Sequence, residues 1–409
     1  MKRREFLRNM AAMPLIGRNL ITAGSILAGM NNACAASGKT LIVIFQRGGC
    51  DGLNTVVPFR EDEYYNLRPD IAIEPPSYRS DSALDLDGFF GLHPAMTGLY
   101  DIFQQGDLAI MPAVHYGNAS KSHFSSQDLI EGGVSSRILN DGWLNRYLLN
   151  SEYETALRAV SFGPLAHAMR GVQPVATINR LSSLNGYDDS EREILKSIYN
   201  QQVKNNDNRS LLYRHGTLAL NNYSLLDQFA NSSYAAENGA VYPDTDYGQQ
   251  LKDIAQLVKA GIGLQAVTLS SNGWDHHAYQ GGANGKQAEK LEEFSSGIEA
   301  IYKDLGSHMN DVVILTMSEF GRTVKQNASE GTDHGNAASW FAVGRQINGG
   351  IYGDWPGLQP EQLYQKRYLA HTLEFTDVYA EVLSKHLGEK DRLSAILPGI
   401  HYNPIGFLS

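Results

Sequence analysis

Val312-Val313-Ile314-Leu315-Thr316, followed closely by Ser318-Glu319-Phe320-Gly321-Arg322, is the stretch that decides how this chain folds. A short apolar run rich in β-branched residues, with no polar alternation, reads as a strand buried on both faces of a parallel sheet. Charged residues directly after it stand at the strand's carboxyl end, where open α/β sheets bind their ligands. The pattern recurs. Leu41-Ile42-Val43-Ile44-Phe45 runs into Arg47-Gly48-Gly49-Cys50-Asp51-Gly52, and Ala266-Val267-Thr268-Leu269 runs into Gly273-Trp274-Asp275-His276-His277. A further polar segment, Gly331-Thr332-Asp333-His334-Gly335, follows the opening stretch.

Outward from these runs, strands are expected at 41–46, 107–114, 158–162, 264–270, 311–317 and 339–344. Helical patterns separate them: from His93-Pro94 to about Gln105, then 122–131, 141–150, 247–260, 286–305 and 376–387. Strands alternating with helices predict an α/β sandwich around a mostly parallel sheet. Residues 181–243 are polar, Asn-rich and helical by pattern, and read as an insertion between two halves of one domain spanning 36–409.

Composition sets outer bounds. Of 409 residues 42% are hydrophobic and 19% charged, so the chain is globular, with enough length for a large core. At the N-terminus, Arg3-Arg4 precedes a moderately apolar stretch, Met10–Met30, and the small residues Ala33-Cys34-Ala35. This predicts a twin-arginine export signal over 1–35, and a periplasmic or secreted mature chain. Arg18, Asn19 and three glycines make a stable membrane span an unfavourable alternative. Cleavage would remove five basic residues and one acid, taking the formal net charge from −10 to −14. Such a surface repels nucleic acid and anionic membranes, and an anionic substrate needs a local cation to offset it. Of the two cysteines Cys34 leaves with the signal, so no intramolecular disulfide remains and an iron–sulfur cluster is excluded. The absence of Gly-x-Ser-x-Gly argues against an α/β-hydrolase esterase.

The polar tips suit a metal-dependent hydrolase. Asp51, between glycines, is a candidate ligand, with an ordinary Asp-Gly turn as the plain alternative. Asp275 and His277 would share a face of extended backbone and bind zinc, manganese or iron, with His276 behind them. Glu319 would reach a metal and Arg322 an anionic substrate oxygen, unless the two form a buried ion pair. Asp333 and His334 offer a second acid–imidazole pair. A nucleophile is sought at a helix start, where Ser120 or Ser122 is available beside His123 as general acid or base. N-capping is the alternative for either serine.

These segments resemble a bacterial family of twin-arginine-exported proteins, domain of unknown function 1501, which has no settled activity. The matching pieces are Gly48-Gly49-x-Asp51-Gly52-Leu53-Asn54, Ser122-His123-Phe124, Gly273-Trp274-Asp275-x-His277, Ser318 to Thr323 and Gly331 to Gly335. More distantly the chain resembles the alkaline phosphatase and sulfatase superfamily. That resemblance implies a three-layer α/β sandwich, one or two divalent metals beside a hydroxyl nucleophile, and phosphate or sulfate esters as substrates. Such substrates would be small anionic esters or sulfated or phosphorylated glycans. By chain order it places Asp51, Asp275, His277, Glu319 and His334 on metal and Ser122 as nucleophile. Two departures stand out: Phe320 occupies a position where that superfamily has a histidine ligand, and Asp275 and His277 are closer in sequence than usual. No Cys-x-Pro-x-Arg segment occurs, so formylglycine chemistry is not expected. A non-catalytic envelope binding protein on the same fold is the alternative.

Overall fold

A computed structural model describes residues 38–151, 157–184, 189–199, 208–230 and 232–409. The expected export signal lies outside them. Nine strands form the main sheet: β1 (Thr40–Arg47), β2 (Leu108–His115), β3 (Ala159–Phe162), β4 (Ala176–Ile178), β5 (Ala266–Asn272), β6 (Val312–Met317), β7 (Ala338–Val343), β8 (Gly350–Ile351) and β9 (Leu373–Glu374). Their order is β8-β2-β7-β6-β1-β5-β3-β4, with β9 also beside β2. β7 runs against both of its neighbours; all other pairings are parallel. The short strand Ala176–Ile178 escaped the sequence reading because three residues carry too little pattern.

The helices that cover the sheet are α1 (Thr97–Gln104), α2 (His123–Gly132), α3 (Trp143–Asn150), α4 (Asp189–Tyr199), α5 (Asn208–Ala230), α6 (Asp246–Lys259), α7 (Lys286–Leu305) and α8 (Phe375–Glu381). The strand period of two sorts the core into layers. Ile42 and Ile44 of β1, with Val312 and Ile314 of β6, pack under α1, α6 and α7 through Leu99, Leu251, Ile254, Phe294 and Ile298. Leu41, Val43 and Phe45, with Val313 and Leu315, face α2, α3 and α8 through Ile130, Trp143, Leu144 and Tyr379. Both faces of β1 and β6 are therefore covered, which explains their unbroken apolar sequence. The result is a three-layer α/β sandwich with a mostly parallel sheet. Between β4 and β5 the described elements are helical. No helix among the described residues is long and apolar enough to cross a membrane.

Register brings the polar segments together. β1 pairs on one side with β5, Arg47 opposite Asn272, and on the other with β6, Phe45 opposite Met317. The three strands run in parallel and end within a few residues of one another. The loops beginning at Gly48, Gly273 and Ser318 thus leave the same sheet edge side by side.

Candidate metal centre

Glycine permits the close approach of these loops. Gly48 has φ +123°, and a Cβ there would lie 2.7 Å from the Asp275 nitrogen. A Cβ on Gly331 would lie 2.4 Å from the His277 carbonyl carbon. A side chain at either position would push the loops apart. Arg322 then ties them. Its Nε donates to Gly49 O at 2.6 Å, Nη1 to Thr332 O at 3.1 Å and Nη2 to Trp274 O at 3.2 Å. Nη2 also donates to Gly48 O and to Asp275 Oδ1. The side chain is fully buried.

Above this clamp three side chains converge. His123, Asp275 and His334 each offer one ligand atom, and these atoms all lie within 4.8 Å of one another. His334 Nε2 is 3.3 Å from Asp275 Oδ1, and His123 Nε2 is 3.7 Å from Asp275 Oδ2. Each imidazole is held through its other nitrogen. His123 Nδ1 bonds Glu319 Oε1 at 2.7 Å, and His334 Nδ1 bonds the Lys121 carbonyl at 2.8 Å. An acceptor on Nδ1 fixes the proton there and turns the Nε2 lone pair toward the centre, the arrangement seen around metal-bound histidines. His277 stands at the side of the trio. Its Nε2 is 3.0 Å from Asp275 Oδ1 and 3.2 Å from His334 Nε2, and its Nδ1 meets Asp333 Oδ1 at 3.2 Å. The Phe320 ring, fully buried, packs against His123 and His334 at centroid distances of 4.9 and 4.8 Å. It is an apolar wall behind both imidazoles.

Charge states follow from these contacts. The hydrogen bond that His123 donates to Glu319 holds its pKa above the ordinary value, despite partial burial, with further help from Glu319 and Asp275 charge. Burial pushes His334 below the ordinary value, and the charge of Arg322 adds to this. Burial works to raise Asp275, but the Arg322 hydrogen bond and charge outweigh it and hold the carboxyl low. Glu319 is likewise held low against its own burial, by bonds from His123, Gln127 and Gly48 N. Two ionised carboxylates and imidazoles with fixed tautomers make a donor set suited to a divalent transition metal.

Several of the expected site residues make other contacts. Asp51 is not one of the trio but sits in a buried ion pair: Arg68 reaches it at 2.6 and 2.9 Å and Gln280 at 2.6 Å. Arg68 is itself fully buried and needs that carboxylate to offset its charge. Glu319 is not one of the trio; it accepts from His123, Gln127 and Gly48 N and orients the His123 ring. Asp333 plays that part for His277, and is held by Asn327 at 3.1 Å and Arg367 at 3.3 Å. Arg322, expected on substrate, is consumed by backbone carbonyls and Asp275. Ser122 is the N-cap residue of α2; its exposed hydroxyl makes no hydrogen bond among the described residues, and Ser120 Oγ accepts from Ser122 N. His123, expected as acid or base, joins the trio. His276 is half-buried and gives its carbonyl to Thr332 N at 3.0 Å. Cys50 is buried, its thiol pushed up to about 12, chiefly by desolvation, and so held in the protonated form.

Sequence reasoning missed Gln127, Lys121, Arg68 and Asn327. Gln127 carried a signal, since it lies four residues after His123 on one helix face and both reach Glu319. Lys121 acts through its backbone, and a carbonyl has no sequence signature.

The model of a family described as a protein of unknown function (DUF1501) matches residues 117–397. The chain belongs to this family. The DUF1501 segment contains all of the trio, His277 and both orienting carboxylates, whereas β1 and the Gly48–Asp51 loop precede it. No curated protein matches the chain. Among solved structures, it is similar to the PsFucS1 sulfatase from Pseudoalteromonas sp., at 10% identity and a TM-score of 0.38, covering 94% of this chain and 75% of that one. It is similar to the phosphonate monoester hydrolase of Agrobacterium radiobacter at 10% identity and a TM-score of 0.30, covering 87% and 74%. A similar match joins it to the lipoteichoic acid synthase LtaP from Listeria monocytogenes, at 9% identity and a TM-score of 0.33, covering 93% and 80%. At this level of similarity, the activities of those enzymes do not transfer to this chain.

Proposed function

We propose that the mature chain is an exported, metal-dependent hydrolase of phosphate or sulfate esters, with His123, Asp275 and His334 holding one divalent ion. The carrying observation is the convergence of two Nε2 atoms and a carboxylate, with each imidazole locked by an acceptor on Nδ1. Zinc, manganese or iron suits two imidazoles and one carboxylate, and three protein ligands leave a position for substrate. A bound ion would supply Lewis acidity to an ester oxygen and to a water molecule.

The chain's own groups do the rest. Glu319 and the Lys121 carbonyl keep both ligands in register. Asp275 is 44% exposed, so substrate reaches the centre from solvent. His277, held by Asp333, presents Nε2 beside the ligands and is the group placed to move a proton. Water is the nucleophile in this reading, because the Ser122 hydroxyl has no base bonded to it. Arg322 fixes the loops and does not meet the substrate.

Elemental analysis of the purified mature protein is expected to find one transition metal per chain. Turnover across a panel of phosphate and sulfate esters is expected to vanish in Asp275→Ala and His334→Ala. A chain that takes up no metal on reconstitution overturns the proposal. The internal commitment of Asp51 and Arg322 favours, as a second reading, a non-catalytic envelope binding protein. Stoichiometric metal with no turnover on the whole panel would support that reading instead.

A further inference from the structure

A groove of about 430 Å³ adjoins the centre, within the range of small-molecule sites. Asp333 lines it with the same carboxylate that bonds His277. The groove floor includes Val324, Leu358 and Leu363, all buried or half-buried. Its rim carries three exposed cations, Lys325, Lys366 and Arg367. Lys325 and Lys366 form no ion pair among the described residues, and Arg367 is only loosely paired with Asp333 at 3.3 Å. The acids lining the groove are Glu63 and Asp333, and Asp333 is already met by His277, Asn327 and Arg367. Cations thus gather at one place on a chain whose formal net charge is −10.

Backbone strain places two of those cations. Tyr364 N bonds Tyr368 O at 2.9 Å, and Tyr368 N bonds Tyr364 O at 3.1 Å, closing a tight turn. Gln365 and Lys366 at its tip have φ of 54° and 56°. Two consecutive left-handed non-glycine residues are unfavourable, and persist where surrounding structure or function holds them. The turn sets Tyr368 beneath both Arg367 (5.5 Å) and Lys121 (4.1 Å). Lys121 is the residue whose carbonyl orients His334. The Tyr368 ring is thus shared by Arg367 of the groove rim and by Lys121, the residue next to the centre in the packing.

We propose that this groove is a second anion subsite, which binds the distal phosphate or sulfate of a bis-anionic ester while an apolar spacer lies on the floor. The proposal rests on the hydrolase reading for what happens at the other end of that ester. Binding to the groove itself does not require the metal.

Calorimetric titration of the full mature chain with hexane-1,6-diylbisphosphonate and with hexylphosphonate, which carry no ester bond to hydrolyse, each with and without EDTA, tests it. The bisphosphonate is expected to bind about tenfold more tightly than the monophosphonate, as one further charge-assisted contact pair predicts. That advantage is expected to disappear in the Lys325→Gln/Lys366→Gln variant, whose substitutions are on exposed side chains. Equal affinities, or an advantage that survives in the variant, overturn the proposal. A lysine-dependent advantage that EDTA leaves wholly unchanged for both probes upholds the subsite and removes the metal from the reading of the centre.

Discussion

Replacing Arg322 separates a structural clamp from a substrate-binding group. Arg322→Met keeps the aliphatic stem and removes every donor, stranding four backbone carbonyls and one carboxylate oxygen on three loops. Asp275 is 44% exposed, so water covers most of its loss, and that ion pair contributes at most about 1 kcal/mol. The carbonyls sit around a fully buried guanidinium. If half of them find no new donor, at roughly 1–3 kcal/mol each, the variant loses about 2–6 kcal/mol. Domains of ordinary stability have about 5–15 kcal/mol to lose, so much of the population stays folded and measurable. Arg322→Lys keeps the charge but supplies three donors from a point, and is expected to fall between parent and Met variant. Urea unfolding followed by tryptophan fluorescence reads the difference, since Trp274 sits in one of the clamped loops. A Met variant within about 0.5 kcal/mol of the parent, the range of a surface substitution, refutes the clamp and returns Arg322 to substrate binding.

Four other outcomes are expected. Glu319→Gln removes the charge that holds His123 Nδ1, and metal affinity measured by competition with a chelator should fall about 10–100-fold with the fold retained. His277→Asn should keep full metal content yet lower kcat by about 10²–10⁴, as loss of a proton-transfer group does; loss of metal instead would make His277 a ligand. Asp51→Ala strands the buried Arg68 and should cost about 3–5 kcal/mol in urea unfolding while leaving the metal stoichiometry unchanged. Acid should destabilise the fold through His93, whose Nδ1 accepts from Ala95 N while Nε2 bonds Gly282 O, and whose pKa is pushed down to about 4, chiefly by burial. Below the unfolded value of 6.5 the unfolded chain gains a proton that the native ring refuses, so stability falls as pH drops from 6.5 toward 4. The slope approaches about 1.4 kcal/mol per pH unit for this group, and His93→Asn should flatten it by that amount.

The strands were legible because their burial is local information. β1 and β6 are covered on both faces, and a strand so placed must be apolar throughout, whatever its neighbours. The amphipathic helices α6 and α7 were readable for the same reason, since each needs one apolar stripe. The reversed direction of β7 was not legible, because burial imposes the same apolar pattern on a central strand whichever way it runs. Within the site, the sequence placed Asp275, His277, Glu319 and His334 after strands or within a neighbouring loop, and the register of β1, β5 and β6 brought those loops together.

The division of labour among those residues is another matter. Asp51 and Asp275 look alike in sequence, each an acid in a glycine-bearing loop after an apolar strand. Arg68, seventeen positions further along, captures the first, while His123 and His334 approach the second. His123 rather than Glu319 joins Asp275 and His334, because a hydrogen bond between residues 196 apart in sequence sets Glu319 behind the imidazole. Residue type and local pattern alone thus determined the layers, the sheet edge and the supply of acids and imidazoles. Which acid meets a guanidinium and which meets an imidazole depends on contacts between distant segments, and only the packed tertiary structure decided that.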